Sequence, residues 1–348
     1  MSIDVGNNPV GSLPTVAQKT QIRKAIACAE VPTFLGPVAA LADTDDFYVY
    51  GSNMAYAKNP SSLTSISLSG QLNGKLSLTS LSSLSSLDLT GSSIEGDKID
   101  LVIKNNQSIE TFSAAGSEFK NLDFNNCTNL TSYSLLYTFS VDYLNFDGCQ
   151  SLTDLTLGGV GSLTSFGLDL TNLTSLEELY CPAASFTTLN ASNLLNLLTA
   201  NFPFANGNNQ SGIINLSGCT NLTDFSADEA YGSYDLSDCS SLTTISSNAG
   251  QASSLDLTNC LSLSTLTLAD HYNLSSLIID GCTSLISVTV TGHLLGSEGV
   301  NVILINLDSF GLEDGYVDVT SYNGAEPTGD GITAAANLVT KGWTVITD

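Results

Sequence analysis

Leucines in this chain fall in a two-step rhythm, L-x-L, that returns about every 11 residues, as at Leu255, Leu266 and Leu277. Such alternation predicts short strands with one buried face. Between successive beats lies a slot that six cysteines fill: Cys127, Cys149, Cys219, Cys239, Cys260 and Cys282. Neighbouring cysteines are 20–22 residues apart, except for a 70-residue stretch after Cys149 that has room for two more turns, with Leu173 and Leu194 in the slot. The surroundings read alike: LNFDGCQSLTDLTL, INLSGCTNLTDFSA, YDLSDCSSLTTISS, LDLTNCLSLSTLTL, LIIDGCTSLISVTV. A fixed period with an L-x-L-x-x-C-x-x-L frame predicts a stacked solenoid. Each coil reads as a strand, the slot residue, a second strand and a loop of variable length, which gives two parallel sheets per stack.

The rhythm occupies residues 61–299. Residues 1–60 differ. Pro14 and Thr15 open a predicted helix, with Thr15 and Gln18 at capping-box spacing. Ile22, Ala25, Ile26 and Ala29 share one face of it, and Lys19, Arg23 and Lys24 add charge. A short helix with one apolar face needs something to dock on, so residues 1–60 read as an anchor with Ile22, Arg23, Lys24 and Ile26 as its contacts. A strand-like FYVY follows at residues 47–50. Residues 300–348 read as a C-terminal α/β cap: an amphipathic element from Val300, a strand in YVDVTS, a helix over 330–341 stopped by Gly342, and a last strand over 343–347. Without a cap the end coil would expose its core.

The 348 residues include 34 acidic and 9 basic side chains, a net charge of −25. That excludes a nucleic-acid or anionic-membrane surface, since both need Lys and Arg. It suits solubility, salty surroundings or cation binding. Eight cysteines raise a disulfide framework. Their period argues instead for reduced structural thiols, because one slot of successive coils repeats about every 4.8 Å. Cys28 and Cys181 lie off that ladder, and no C-x-x-C suggests a metal site. No apolar run reaches the length of a membrane span. Residues 19–42 imitate a signal peptide, but Glu30, Pro32 and Pro37 break the apolar run.

The frame resembles leucine-rich repeats, and C-x-x-L-T-D in CQSLTDLTL and CTNLTDFSA is similar to their cysteine-containing subclass. These turns are shorter, and both long sides read as extended. The resemblance implies a β-rich leucine-rich-repeat solenoid that binds macromolecules and does not catalyse. The segment TVAQKTQIRKAIACAEV resembles one near the start of bacteriophage tail-fibre and head-fibre proteins, with Cys28 where Gly or Ala is usual and Val16 a small departure. NLVTKGWTVITD is similar to the closing segment of repeat proteins in phage and marine viral genomes. These resemblances imply a virion structural protein, a fibre or decoration, held to other virion proteins through residues 1–60. Its solenoid would bind a host-surface glycan or protein. A bacterial surface or secreted adhesin is the alternative. Oligomeric state stays open, a homo-oligomer included.

Three surfaces are candidates for recognition. The exposed middle residues of the first strands read Asp88, Asp123, Asn145, Asp169, Asn190, Asn215, Asp235, Asp256 and Ile278. Carboxylate and amide oxygens at strand spacing offer a sugar-hydroxyl surface or a weak calcium site, or simply a solvated polar face. No other cofactor is expected, and DTDD at 43–46 has too few spaced ligands for a calcium loop. The second-strand column, Ser134 to Thr289, ends in Thr-x-Thr pairs that resemble ice-binding solenoids but is irregular upstream. The variable loops carry Tyr137, Phe139, Phe204, Asn206, Tyr231, His271 and Tyr272, which offer aromatic faces for sugars or partner pockets, or fold back as local cores. No nucleophile, base or metal motif surrounds His271 or His293, so no enzyme is expected.

Overall fold

A computed structural model describes residues 4–5, 33–36, 47–50, 54–57, 64–68, 70–71, 75–77, 82–90, 92–93, 99–116, 118–136, 140–158, 167–184, 186–203, 212–248 and 251–348. The chain divides into two compact units, Met1–Ser165 and Phe166–Asp348. The division falls inside the stretch that the sequence reads as one stack. The expected helix, with Ile22, Arg23, Lys24 and Ile26, lies outside the described residues, as do Tyr137, Phe139, Phe204 and Asn206.

Each unit is a parallel β-solenoid with two faces. In the first unit, face one holds Lys75–Ser77, Ile99–Val102, Glu118–Asp123 and Ser140–Asn145, paired in parallel. Face two holds Ser65–Leu68, Ser86–Thr90, Thr111–Ala115, Ser132–Leu136 and Asp154–Leu157. Phe47–Tyr50, the expected FYVY strand, lies antiparallel to Met54–Ala57, which also pairs with Thr33–Gly36.

In the second unit, face one runs through Leu168–Asp169, Thr188–Asn190, Ile213–Asn215, Tyr231–Asp235, Gln251–Asp256 and Ser276–Ile278. On face two, Glu178–Tyr180, Thr199–Asn201 and Asp224–Ser226 pair as one set. Thr244–Asn248, Thr265–Ala269, Ser287–Val290, Tyr316–Asp318 and Thr344–Ile346 pair as another. Parallel winding therefore continues past residue 299. Two helices, α1 (Gly296–Phe310) and α2 (Asp330–Thr340), precede the last two of these strands. The apolar element expected from Val300 is thus a helix that begins earlier. It buries Val300, Ile303, Leu304 and Leu307 and packs on α2 and on Ser276–Ile278.

One row on face one pairs Asp169, Asn190, Asn215, Asp235, Asp256 and Ile278 in register. Asp123 and Asn145 stand side by side in the first unit. Asp88 does not belong in that row. It faces Ser113 on face two, because both strands of a coil carry the same L-x-L text. On face two, Thr267 and Thr289 are paired, and Asp318 follows them.

The slot residues explain the period. Cys127, Cys149, Cys219, Cys239, Cys260 and Cys282 are fully buried and unbridged. Each amide donates to the carbonyl three residues back, and each thiol donates to a carbonyl of the preceding coil. Leu257 O accepts Cys260 N at 3.0 Å and Cys282 Sγ at 3.0 Å. Leu236 O does the same for Cys239 N at 3.1 Å and Cys260 Sγ at 3.2 Å. Phe124 O repeats the arrangement with Cys127 N and Cys149 Sγ. Leu173 and Leu194 occupy the same buried slot without a thiol. The residue before each thiol has a left-handed backbone: Asn126, Gly148, Gly218, Asp238, Asn259 and Gly281 have φ between 58° and 79°. Asn, Asp and Gly tolerate that region best.

Candidate functional site

The face-one row of Asp and Asn is first a folding device. Asp235 Oδ1 accepts Ser237 N at 3.0 Å and Ser237 Oγ at 2.6 Å. Asp256 Oδ1 accepts Thr258 N at 2.9 Å and Thr258 Oγ1 at 2.6 Å. Asn215 does the same with Ser217 and Asp169 with Thr171, and on face two Asp318 does so with Thr320. Such a side-chain turn ends the strand and starts the corner. It also explains why Asp169, Asn215, Asp235 and Asp256 are each followed by Leu and then Ser or Thr.

In the second unit this row borders a groove. A cavity of about 200 Å³ is lined by Ile213, Ser233, Tyr234, Asp235, Ser254, Leu255, Asp256, Ser276 and Ile278. Its floor is the face-one sheet where Tyr231–Asp235 meets Gln251–Asp256. Pairing there runs Gly232 to Ala252 and then Ser233 to Ser254, which leaves Ser253 as an extra residue. That bulge bends the strand locally. Ser253 Oγ closes it, donating to Gly232 O at 3.1 Å and lying 3.2 Å from Ser233 Oγ. Ser275 Oγ donates to Ser253 O from the next coil.

Asp235 and Asp256 are direct register partners, so their carboxylates stand one strand spacing apart, about 4.8 Å. Their Oδ1 atoms are committed to the turns. Their Oδ2 atoms have no hydrogen bond among the described residues. Exposed Ile213 closes one side of the groove and half-buried Ile278 the other. Among the described residues the only aromatic ring lining it, Tyr234, is buried and turned into the core, where it meets Phe225 edge-on. The arrangement can hold one small polar group between two carboxylates and pack an apolar stem against isoleucine.

The corner loops hold a second set of predicted residues. Tyr272 is exposed, donates to Asp270 Oδ1 at 2.9 Å and meets Tyr322 edge-on at 5.5 Å. That bond pushes the Tyr272 phenol above its usual ionisation range. Tyr322 is 71% exposed, the largest value among the exposed apolar and aromatic residues described, and sequence reasoning missed it. Its loop lies beyond the repeat, where no period points to it. Tyr231 is half-buried, and its carbonyl accepts the Tyr234 hydroxyl at 3.2 Å.

His271 is not a surface residue. It is 3% exposed, because Asp270 before it turns left-handed (φ 58°) and aims the ring into the stack. Its Nε2 lies 3.2 Å from Ser247 O, so that nitrogen carries the proton. Its Nδ1 is buried without a hydrogen-bond partner among the described residues. His293 takes the same corner one coil on, after Gly292. Its Nδ1 accepts Leu295 N at 3.2 Å, and its Nε2–H donates to Val319 O at 3.1 Å. Burial holds both imidazoles below their ordinary range.

Among the described residues no cluster of His, Cys, Asp or Glu could hold a metal ion, and no helix is long and apolar enough to cross a membrane. No family model matches the chain, and no curated protein matches it.

Proposed function

We propose that the chain is a non-catalytic recognition protein of the leucine-rich-repeat kind, a virion fibre or decoration that binds a host-surface glycan or protein. The observation that carries the reading is the groove over Asp235 and Asp256 on face one of the second unit, where only one oxygen of each carboxylate is bonded in a turn among the described residues. Residues 1–60 serve as its anchor to other virion proteins, and residues 300–348 close the stack. The anchor reading rests on the apolar face of Ile22 and Ile26 with Arg23 and Lys24 beside it. The recognition reading draws support from the acidic charge, which disfavours nucleic acid, and from carboxylates set beside exposed isoleucine.

Two variants of the full-length chain test the two halves. Ser254→Trp fills the groove and should abolish binding to host cells while the circular dichroism spectrum stays unchanged. Undiminished cell binding would remove the groove from the function. Ile22→Asp with Ile26→Asp should prevent incorporation into virions. Normal incorporation of that variant would defeat the anchor.

A further inference from the structure

We infer that the groove takes the side chain of an arginine on a polypeptide partner. This rests on the groove being the recognition surface, as proposed above, and names what fills it. Four observations point there.

The first is unbalanced charge. Asp235 and Asp256 are in-register neighbours, and like charges directly opposite repel. The second unit has a single basic side chain, Lys341, and Asp308 holds it in a 2.7 Å ion pair. Neutralisation of the groove must therefore come from outside that unit. The second is geometry. Two Oδ2 atoms about one strand spacing apart match the fork of a guanidinium, whose five N–H donors can serve both carboxylates. The Ser254 and Ser276 hydroxyls, with no hydrogen bond among the described residues, stand in the same wall as further acceptors. A lysine ammonium is a single point and bridges them less well.

The third is size. At about 200 Å³ the cavity is below the roughly 300 Å³ at which small-molecule pockets begin, and fits one side chain. Ile213 and Ile278 flank the carboxylates, where the methylene stem would lie. The fourth concerns sugars. Sugar sites usually present an aromatic face for stacking. Among the described residues the only lining aromatic, Tyr234, is 3% exposed. The observations therefore favour a polypeptide over a glycan as the occupant.

The test uses the full-length chain and a fluorescein-labelled Arg-Gly repeat hexapeptide at about 0.15 M salt, where charges beyond about 8 Å are largely screened. Asp235→Asn with Asp256→Asn should weaken binding tenfold or more. The fold should survive, because Asn145, Asn190 and Asn215 accept the same turn bonds at equivalent positions. Glu313→Gln with Glu326→Gln removes the same charge elsewhere and should change affinity less than threefold. A citrulline-for-arginine peptide should bind the parent chain no better than the arginine peptide binds the double Asn variant. Equal losses in the two double variants would reduce the effect to diffuse charge and overturn the inference. Equal binding of the citrulline peptide would overturn it too. A neutral N-acetylglucosamine oligomer that binds the parent chain and is blocked by Ser254→Trp, with no peptide binding, would also overturn it while leaving the groove as the recognition surface. Peptide binding as expected, with host-cell attachment indifferent to Ser254→Trp, would sustain the arginine site and defeat only the attachment role.

Discussion

A cysteine in the slot does what leucine at the same place cannot. It fills a small buried space and donates to a carbonyl of the preceding coil, which for Cys149, Cys239, Cys260 and Cys282 already accepts one backbone amide. Burial pushes the Cys127 thiol up to about 11 and Cys149 and Cys239 up to about 12, so these groups stay protonated. The ladder thiols and Cys181 should resist iodoacetamide at pH 8 in the folded chain and react within minutes in denaturant; rapid labelling without denaturant would contradict their burial. The left-handed residue before each thiol is equally constrained. Gly281 has φ 75°, and a Cβ there would lie 2.5 Å from Asn259 Oδ1. Gly281→Ala should cost about 1–3 kcal/mol in urea unfolding. His271 and His293 set a pH limit. Their folded-state affinity for protons is depressed, so the unfolded chain protonates first, near pH about 6.5. Stability is full above that value and is lost as pH falls below it. Asp228 and Asp270 near His271, and Asp348 near His293, oppose the shift without cancelling it. Melting temperature should drop between pH 7 and pH 5, and less so in His271→Gln. A flat profile would mean that neither imidazole is held neutral by the fold.

At the level of elements, the last two strands depend on side chains from the helices and corners. Trp343 is 3% exposed, donates from Nε1 to Leu312 O at 2.9 Å and covers Gly315, where a Cβ would meet the indole at 2.4 Å. Trp343→Ala should cost about 3–5 kcal/mol. Lys341 joins α2 to Asp308 of α1. Burial alone would raise that carboxyl, but Lys341 and Asn337 hold it below its usual range. The pair is partly exposed, so Lys341→Met should cost only about 1 kcal/mol. Both substitutions are read by chemical denaturation. Elements were legible wherever period and chemistry agreed. The strands, the helix over Asp330–Thr340 and its Gly342 stop show in the text, because alternation and punctuation are local. Asp88 was misplaced because the two strands of a coil are spelled alike. His271 looked exposed because DHYN is polar, while one left-handed residue turns the ring inward. The bulge at Ser253 was hidden because loop lengths vary by a residue from coil to coil anyway. Tyr322 and the groove arise from register, which no single coil displays.

For the molecule as a whole, charge and coil chemistry set the terms of association. After Lys120 the only Lys or Arg is Lys341, so the second unit meets partners as an almost uncompensated anion. Attachment to a basic partner should weaken as salt rises from about 0.05 to 0.5 M, since exposed charges are then screened within a few ångströms.

The shared carbonyls have one more consequence. Because Leu236 O and Leu257 O each serve their own coil and the next in the same way, a coil with a thiol in the slot fits the socket its predecessor offers. The number of coils can therefore change only in whole steps. Duplicating residues 257–278 should add a turn to the stack and raise the strand signal in circular dichroism. A single residue inserted into Thr265–Ala269 should instead throw the rest of that strand onto the wrong side unless a bulge absorbs it, because a strand has only two sides. Over evolutionary time such a chain would grow or shrink by counting.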